Sequence, residues 1–574
     1  MVIFLNIQVF IIKGIGTINS NTDRVLKKHH IGGLPLIKKI CDRMDLSKVL
    51  ARHVPSHGND KVNIIDTLIL LIYNLTLGKN PLYELSEWVE SLDLRAIGHS
   101  LDMSKLFSDD RFGRSLDRVY KVDRATLTTD IVTTFSNAFA VKFERIHNDS
   151  TSVKAYGRYP ERTSTGLKLN NGFSKDHRPD LKQLVYCLSI SADGAVPIHH
   201  KVYSGNRTDD TTHIETWNTL YKLRMSSDFL YVADSKLCTD KQLHYIDRNK
   251  GRAVTIIPET WSEVSEFKDL LKKTKKTKIE IWRRRKPNST NKNEYFSVFN
   301  GDYYTKTRGY RIHWIYSSEK RIRDHESRQE RLKKAESAFM ELNTRLNTRN
   351  LKKEDNIRAA VDKILLKHKV TNFFHIDIGT VAGSERIKIG RGRPNKNSKY
   401  KTINTIIHTL SWRRNIDELK NEAKIDGIFP LLSTDKELTS KEVLQAYKFQ
   451  PRLEKRFTQF KSIHNAAPML FKNVTRIEAN MFLFFISLAV QALLEREVRN
   501  KMKKFGDEDL LIYPEARTSV HPTTNKILNN FEQISTYSII ENGNTIEEFK
   551  DELTDTQKTI LNYLDISEEE YWGR

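Results

Sequence analysis

From about residue 25 to 135 the apolar positions recur every three or four residues, the spacing of helices that bury one face. The run "VNIIDTLILLIYNLTLG" is the densest of these, and it stops at Gly78, a residue suited to a left-handed helix end. At residue 141 the period changes to two. "VKFERIHNDSTSV" reads as a strand ending near Asp149, and "QLVYCLSISADG" as a second strand closed by an Asp193–Gly194 turn. "AVPIHHKVYSGN" reads as a third strand, "DTTHIETWNTLYKLRMS" as a helix, and "DFLYVADSK" as a fourth strand ending at Asp234.

Between residues 245 and 425 the pattern breaks. "KIEIWRRRK", "YFSVFNGDYY", "FFHIDIG" and "ERIKIGRG" suggest strands. They flank a long, charged helical stretch, interrupted at "NTRN", with too few apolar residues per heptad for a coiled coil. "IDGIFPLLST" regains the character of a buried strand. "TSKEVLQAY" then opens a helix with Thr439 and Glu442 at capping-box spacing. "TRIEANMFLFFISLAVQALLEREVRNKM" follows as a long apolar helix, with Thr475 and Glu478 at the same spacing. Three strands, a helix and a further strand parallel to the first form the front half of a ribonuclease H-like fold. The expected class is therefore α/β. It has a ribonuclease H-like mixed-sheet core (139–244 and 421–504), a large α+β insertion (245–420), a helical N-terminal domain (25–138), a tail at 1–24 and a C-terminal segment (505–574). The N-terminal helices, with scattered Arg and Lys, suit a DNA-reading module or a dimerisation scaffold.

Charge narrows the function. The 574-residue chain carries a formal net charge of +23, which calls for a polyanionic partner: nucleic acid or an anionic membrane surface. "VIFLNIQVFII" alternates like a strand and lacks a clear small-residue cleavage site, so a signal peptide is not expected. "MFLFFISLAVQALL" is too short to span a bilayer and suits a buried helix. Nucleic acid is the partner left, with no membrane partner, and the expected location is a prokaryotic cytoplasm, associated with the nucleoid. Cys41, Cys187 and Cys238 are far apart and match no zinc spacing.

"LQAYKFQPRLEKRFTQFK" holds a single acid, Glu454, among Lys448, Arg452, Lys455, Arg456 and Lys461. Tyr447, Glu454 and Lys461 are seven apart and Gln450 shares their side, so on one helix they form a polar stripe. Pro451 disfavours helix at Gln450 and can restart the helix there. Taken singly, Glu454 is a surface ion pair and each Asp a turn former. Taken together, Asp149, Asp234 and Glu454 could hold two Mg²⁺ through hard oxygen ligands, with Mn²⁺ as the substitute, for in-line phosphoryl transfer.

Here the chain resembles the DDE insertion-sequence transposases marked by a Tyr-x2-Arg-x3-Glu-x6-Lys signature. "YKFQPRLEKRFTQFK" supplies Tyr447, Glu454 and Lys461 at those intervals; "NDSTSV" resembles the first-Asp motif at Asp149 and "VADSK" the second at Asp234. "IDGIFPLLST" resembles the strand before the Glu helix, and "HHIGGLPLIKKICDRMDLSKVLARHVP" the N-terminal domain of that family. The resemblance implies a transposase that binds terminal inverted repeats, nicks to expose 3′-hydroxyls and joins them to target DNA. It also implies a homodimer in the synaptic complex, metal ligation by Asp149, Asp234 and Glu454, and DNA contacts from Tyr447 and Lys461. One position departs: Gln450 stands where the signature has Arg, with Arg452 nearby as a shifted contact. A lost guanidinium removes a bidentate phosphate contact. This keeps a DNA-binding relic open as an alternative; a ribonuclease H-like nuclease without transposition is the other, against which the N-terminal module and the Tyr447 and Lys461 placement argue.

Three further features are weaker. "GRGRPNK" looks like an AT-hook, with Arg391 and Arg393 for an A·T minor groove, or else an exposed basic turn. "IWRRRKP" is a basic cluster for phosphates or a solvated loop. His199 and His200, within a strand, are expected to pack rather than bind metal.

Overall fold

The computed structural model describes residues 24–573 except 59, 79, 156–166, 173–179, 209–210, 286–292, 349, 391–397 and 464–472. The chain forms two compact units, Met1–Val254 with Ala446–Arg574, and Thr255–Gln445. The insertion expected at 245–420 is thus bounded differently. The helix Asp240–Arg248 belongs to the first unit. The strand Ile428–Ser433 belongs to the second, where it pairs antiparallel with Arg311–Ser317.

The first unit carries β1 (Arg145–Ala155), β2 (Lys182–Ser191), β3 (Pro197–Ser204), β4 (Leu230–Val232) and the start of β5 (Arg252–Ile256). Their spatial order is β3-β2-β1-β4-β5, antiparallel through β3, β2 and β1, then parallel from β1 to β4 and from β4 to β5. Parallel neighbours need a crossover. Here the crossovers are α1 (His213–Arg224) before β4 and α2 (Asp240–Arg248) before β5. Nine of the ten residues of β2 are buried, as expected of a strand covered on both faces.

α3 (Gln450–Thr458) and α4 (Val474–Phe505) complete this part of the unit. α4 is long and apolar enough to cross a membrane, yet 94% of its most apolar window is buried inside the protein. It is apolar on every side because it is a core helix. Its N-cap is Asn473, whose side chain accepts from the Thr475 N–H, in place of the expected Thr475–Glu478 box. Glu478 instead pairs with Arg124. Arg476 forms a two-point pair with Asp117 at 2.9 and 2.7 Å, and Ser487 Oγ lies 3.0 Å from Thr76 Oγ1. The N-terminal helices therefore share one core with α4.

The N-terminal region is not helical throughout. Arg24–His30 is a strand, paired antiparallel with Ser535–Glu541, which turns back on Asn544–Lys550 through Asn542 and Gly543. Both turn residues have positive φ, the geometry of a tight hairpin. Sequence reading missed this strand because its partner lies some five hundred residues away. Helix Ile64–Leu77 does end at Gly78, with φ of 67°.

In the second unit the strands Ile428–Ser433, Arg311–Ser317, Asn293–Phe299 and Lys278–Arg285 follow one another as antiparallel neighbours. The charged stretch forms two helices, Ser318–Thr344 and Glu354–His368. Their apolar residues (Leu332, Phe339, Ile357, Val361) pack with Phe374 and Leu410 at the root of a long antiparallel ribbon, Phe374–Lys388 with Tyr400–Arg414. A buried two-point pair, Arg328 to Asp426 at 2.6 and 2.5 Å, ties the first helix to the turn before Ile428.

Candidate active site

The parallel register aligns Arg145 with Leu230, Ile146 with Tyr231 and His147 with Val232. Two residues beyond the last pair come Asp149 and Asp234. Both half-buried carboxylates therefore lie at the carboxyl end of the parallel pair, where α/β sheets place their ligand sites. Asp149 is not at a strand end, as its sequence context suggested. β1 continues to Ala155 because it stays paired with β2, opposite Leu188 at this position. Asp149 Oδ1 accepts from the Ser150 N–H at 2.7 Å. Asp234 Oδ1 accepts from the Lys236 N–H at 3.0 Å and caps the single turn Ser235–Leu237.

The Glu454 helix is broken as Pro451 requires. One helix ends at Tyr447, and α3 begins at Gln450 with proline in its first turn, where the missing N–H costs nothing. Thr439 and Glu442 form the expected capping box on the preceding helix: the Thr439 N–H donates to Glu442 at 2.9 Å and the Glu442 N–H to Thr439 at 3.3 Å. Since Tyr447 is not on α3, the seven-residue stripe does not exist as a helix face. Tyr447 nevertheless senses the Glu454 charge. Burial first, then the Asp234, Glu454 and Asp149 carboxylates, push its phenol up to about 12. One tyrosine thus feels all three acids.

α3 has two dissimilar faces. Gln450, Leu453, Arg456 and Phe457 are buried, whereas Glu454 and Lys455 are exposed. Gln450, expected at the DNA, is turned into the fold. Its amide donates to the Asn148 carbonyl at 3.1 Å, and its Oε1 lies 3.2 Å from His147 Nδ1. It thereby joins the Glu454 helix to the two residues before Asp149. The His147 ring packs on Phe449 at 4.8 Å, and burial lowers its pKa to about 3, so it is neutral and donates from Nδ1 to Gln450. Asn148 Oδ1 in turn accepts from Ser189 Oγ at 2.9 Å and from Cys187 Sγ at 3.2 Å. No sequence signal marks His147 or Asn148 as partners of a residue three hundred positions away.

Arg456, one of the bases around Glu454, is also buried. It donates to the carbonyls of Ala195 at 3.0 Å and Gly194 at 3.1 Å, and pairs with buried Glu495 at 2.9 Å. Arg452 and Lys461 are half-exposed, Lys461 within the π-turn Gln459–Ile463. Arg391 and Arg393 lie outside the described residues. His199 is buried and His200 half-buried, its ring stacked on Phe485 at 4.6 Å. Trp282 stacks on Phe296 at 5.2 Å, and Arg284 pairs with buried Glu294.

Carboxylates are the donor type that a hard divalent cation takes. Among the described residues, no group of three or more His, Cys, Asp or Glu side chains is gathered closely enough to hold one as it stands. Asp149 and Asp234 each accept from a nearby backbone N–H, of Ser150 and Lys236 respectively.

Residues 26–133 match the model of a family described as "Domain of unknown function (DUF4277)". No curated protein matches the chain. Among solved structures, the chain is similar to the piggyBac transposase in a synaptic complex with hairpin DNA, at 9% identity and a TM-score of 0.36, over 87% of this chain and 76% of that one.

Proposed function

We propose that this protein is a DDE-type DNA transposase with a ribonuclease H-like core. It would bind the terminal inverted repeats of its own element and catalyse strand cleavage and strand transfer as a synaptic homodimer. The observation that carries this reading is the placement of Asp149 and Asp234 two residues beyond the last pair of adjacent parallel strands, beside a Tyr447 phenol raised by burial and then by the Asp234, Glu454 and Asp149 charges.

In this reading Asp149, Asp234 and Glu454 hold the metal. Two Mg²⁺ ions, or Mn²⁺ in their place, would supply activation of a water or 3′-hydroxyl and stabilisation of the leaving oxygen. The protein's own part is positioning. The sheet and the turn after β4 fix the two aspartates, and the Gln450 bonds set the height of α3 against β1, and so the position of Glu454. Tyr447, held protonated near neutral pH, serves as a hydrogen-bond donor to a phosphate oxygen. Lys461 and Arg452 attract the DNA backbone. Gln450 is the sequence feature that favours a decayed relic. Built into the support of Glu454, it no longer argues for one.

The test is cleavage of a labelled duplex carrying the sequence that flanks the coding region, with Mg²⁺ or Mn²⁺. Wild type is expected to nick at the element boundary. Glu454→Ala should bind the duplex equally and lose nicking by about 10³-fold or more, the scale of a main transition-state contact. Binding without a nick in wild type would overturn the enzymatic reading. Nicks scattered along unrelated DNA would replace it with a nuclease.

A further inference from the structure

The ribbon of the second unit has fifteen consecutive cross-strand pairs, from Phe374↔Arg414 to Lys388↔Tyr400, and no third strand among the described residues. Its root is supported: Phe374, Ile376, Ile378, Leu410 and Trp412 pack with the two helices of the unit. From Thr380↔His408 outward, no described residue of either strand is buried. Nine such pairs extend roughly 30 Å at about 3.4 Å per residue. A lone two-stranded ribbon of that length is marginal in water and needs something to lie against.

What it exposes is specific. Alternation of side chains across the register places Arg386, Lys388 and Tyr400 on one face, with the Arg386 guanidinium 5.6 Å over the Tyr400 ring. Lys399 and Lys401 fall on the other face, with Val381, Ile387, Ile403 and Ile407. These four apolar residues are 57%, 44%, 39% and 39% exposed. Between residues 380 and 408 the sequence holds seven lysines and arginines and one acid, Glu385.

We propose that this distal ribbon is an arm that docks in a groove of duplex DNA; the proposal rests on DNA being the partner, as in the preceding reading, and adds where the second unit holds it. A two-stranded ribbon matches the width of a major groove, about 12 Å. Basic side chains on both faces suit the two rows of phosphate that border the groove. The isoleucines and valine suit thymine methyls and sugar edges. A second copy of the arm is the poorer occupant. Two arms of the same positive sign repel, and one face of the distal ribbon offers roughly 300 Å², against about 800 Å² per partner for a stable interface.

The experiment titrates full-length protein against a fluorescent duplex across about 50–200 mM salt. It compares wild type with the quadruple variant Arg386→Gln, Lys388→Gln, Lys399→Gln, Lys401→Gln. Loss of up to four phosphate contacts should flatten the slope of log Kd against log salt by about 3–4 and weaken binding at least tenfold. A second variant joins Val381 to Ile407 through Asn-Gly, which shortens the ribbon and keeps its packed root; it should show the same loss or a larger one. Light scattering on all three proteins reports the mass. Wild-type affinity and slope in both variants would overturn the arm. A loss of dimer with an unchanged salt slope would overturn DNA in favour of a second copy. A wild type that binds no duplex at all would overturn the arm and the transposase reading together.

Discussion

α3 and the distal ribbon are both basic in sequence, and the fold treats them in opposite ways. On α3 the cations are divided. Arg456 is buried against Glu495 and two carbonyls, while Lys455, one residue before it, is exposed. On the distal ribbon Arg386, Lys399 and Lys401 are all exposed, and no described residue of either strand is buried. The helix can divide its charges because a hundred-degree turn per residue gives it a dry side and a wet side. The ribbon has two faces, and among the described residues none of either strand is buried beyond Gly379. A run of positive charge is thus no guide to DNA contact until the support beneath it is known.

Substitutions sharpen this contrast. The largest stability effect is expected at Arg456→Ala, which removes the nearer of the two guanidinium groups paired with buried Glu495, leaving Arg499 at 3.5 Å, and the donor to the Ala195 and Gly194 carbonyls; about 3–5 kcal/mol should be lost in chemical denaturation. Lys455→Ala beside it should stay within about 0.5 kcal/mol, and equal losses at the two positions would erase the distinction between the faces. Next comes Phe339→Ala at the ribbon root, where the ring meets Phe374 and Trp412 edgewise or tilted, each at 5.4 Å. At least about 3 kcal/mol should be lost from the second unit, together with hydrogen-exchange protection along Ile376–Ile378.

Gln450→Ala is smaller in stability and more telling. It leaves the buried Asn148 carbonyl without its Gln450 donor and the His147 Nδ1 proton without an acceptor, about 1–3 kcal/mol in a melt. If Gln450 holds Glu454 at its height, nicking should fall by at least about tenfold while duplex affinity stays at wild type. Gln450→Arg, which restores the signature residue, should also lower nicking, because a guanidinium cannot accept from His147. A gain of activity in that variant would return position 450 to the DNA.

Much of the architecture was legible along the chain. The change from a three-to-four-residue period to alternation at residue 141 locates the first strand. The Asp193–Gly194 turn, the stop at Gly78, the restart at Pro451 and the Thr439 box are all local chemistry, and each is present. The three acids were legible as candidates because their strand, turn and helix contexts are local too. The Arg24–His30 strand and the length of β1 were not, since a strand is defined by its partner.

The sequence by itself therefore determined the type and ends of most elements and which acids stand as candidates. Those depend on caps, turns and periodicities that act within a few residues. Only the tertiary structure decided that Gln450 faces His147 and Asn148, that Arg456 faces Glu495, and that Tyr447 feels three carboxylates from separate elements. These outcomes turn on desolvation and, for Gln450 and Arg456, on partners 39 to 303 residues away, for which a helix or strand period carries no information.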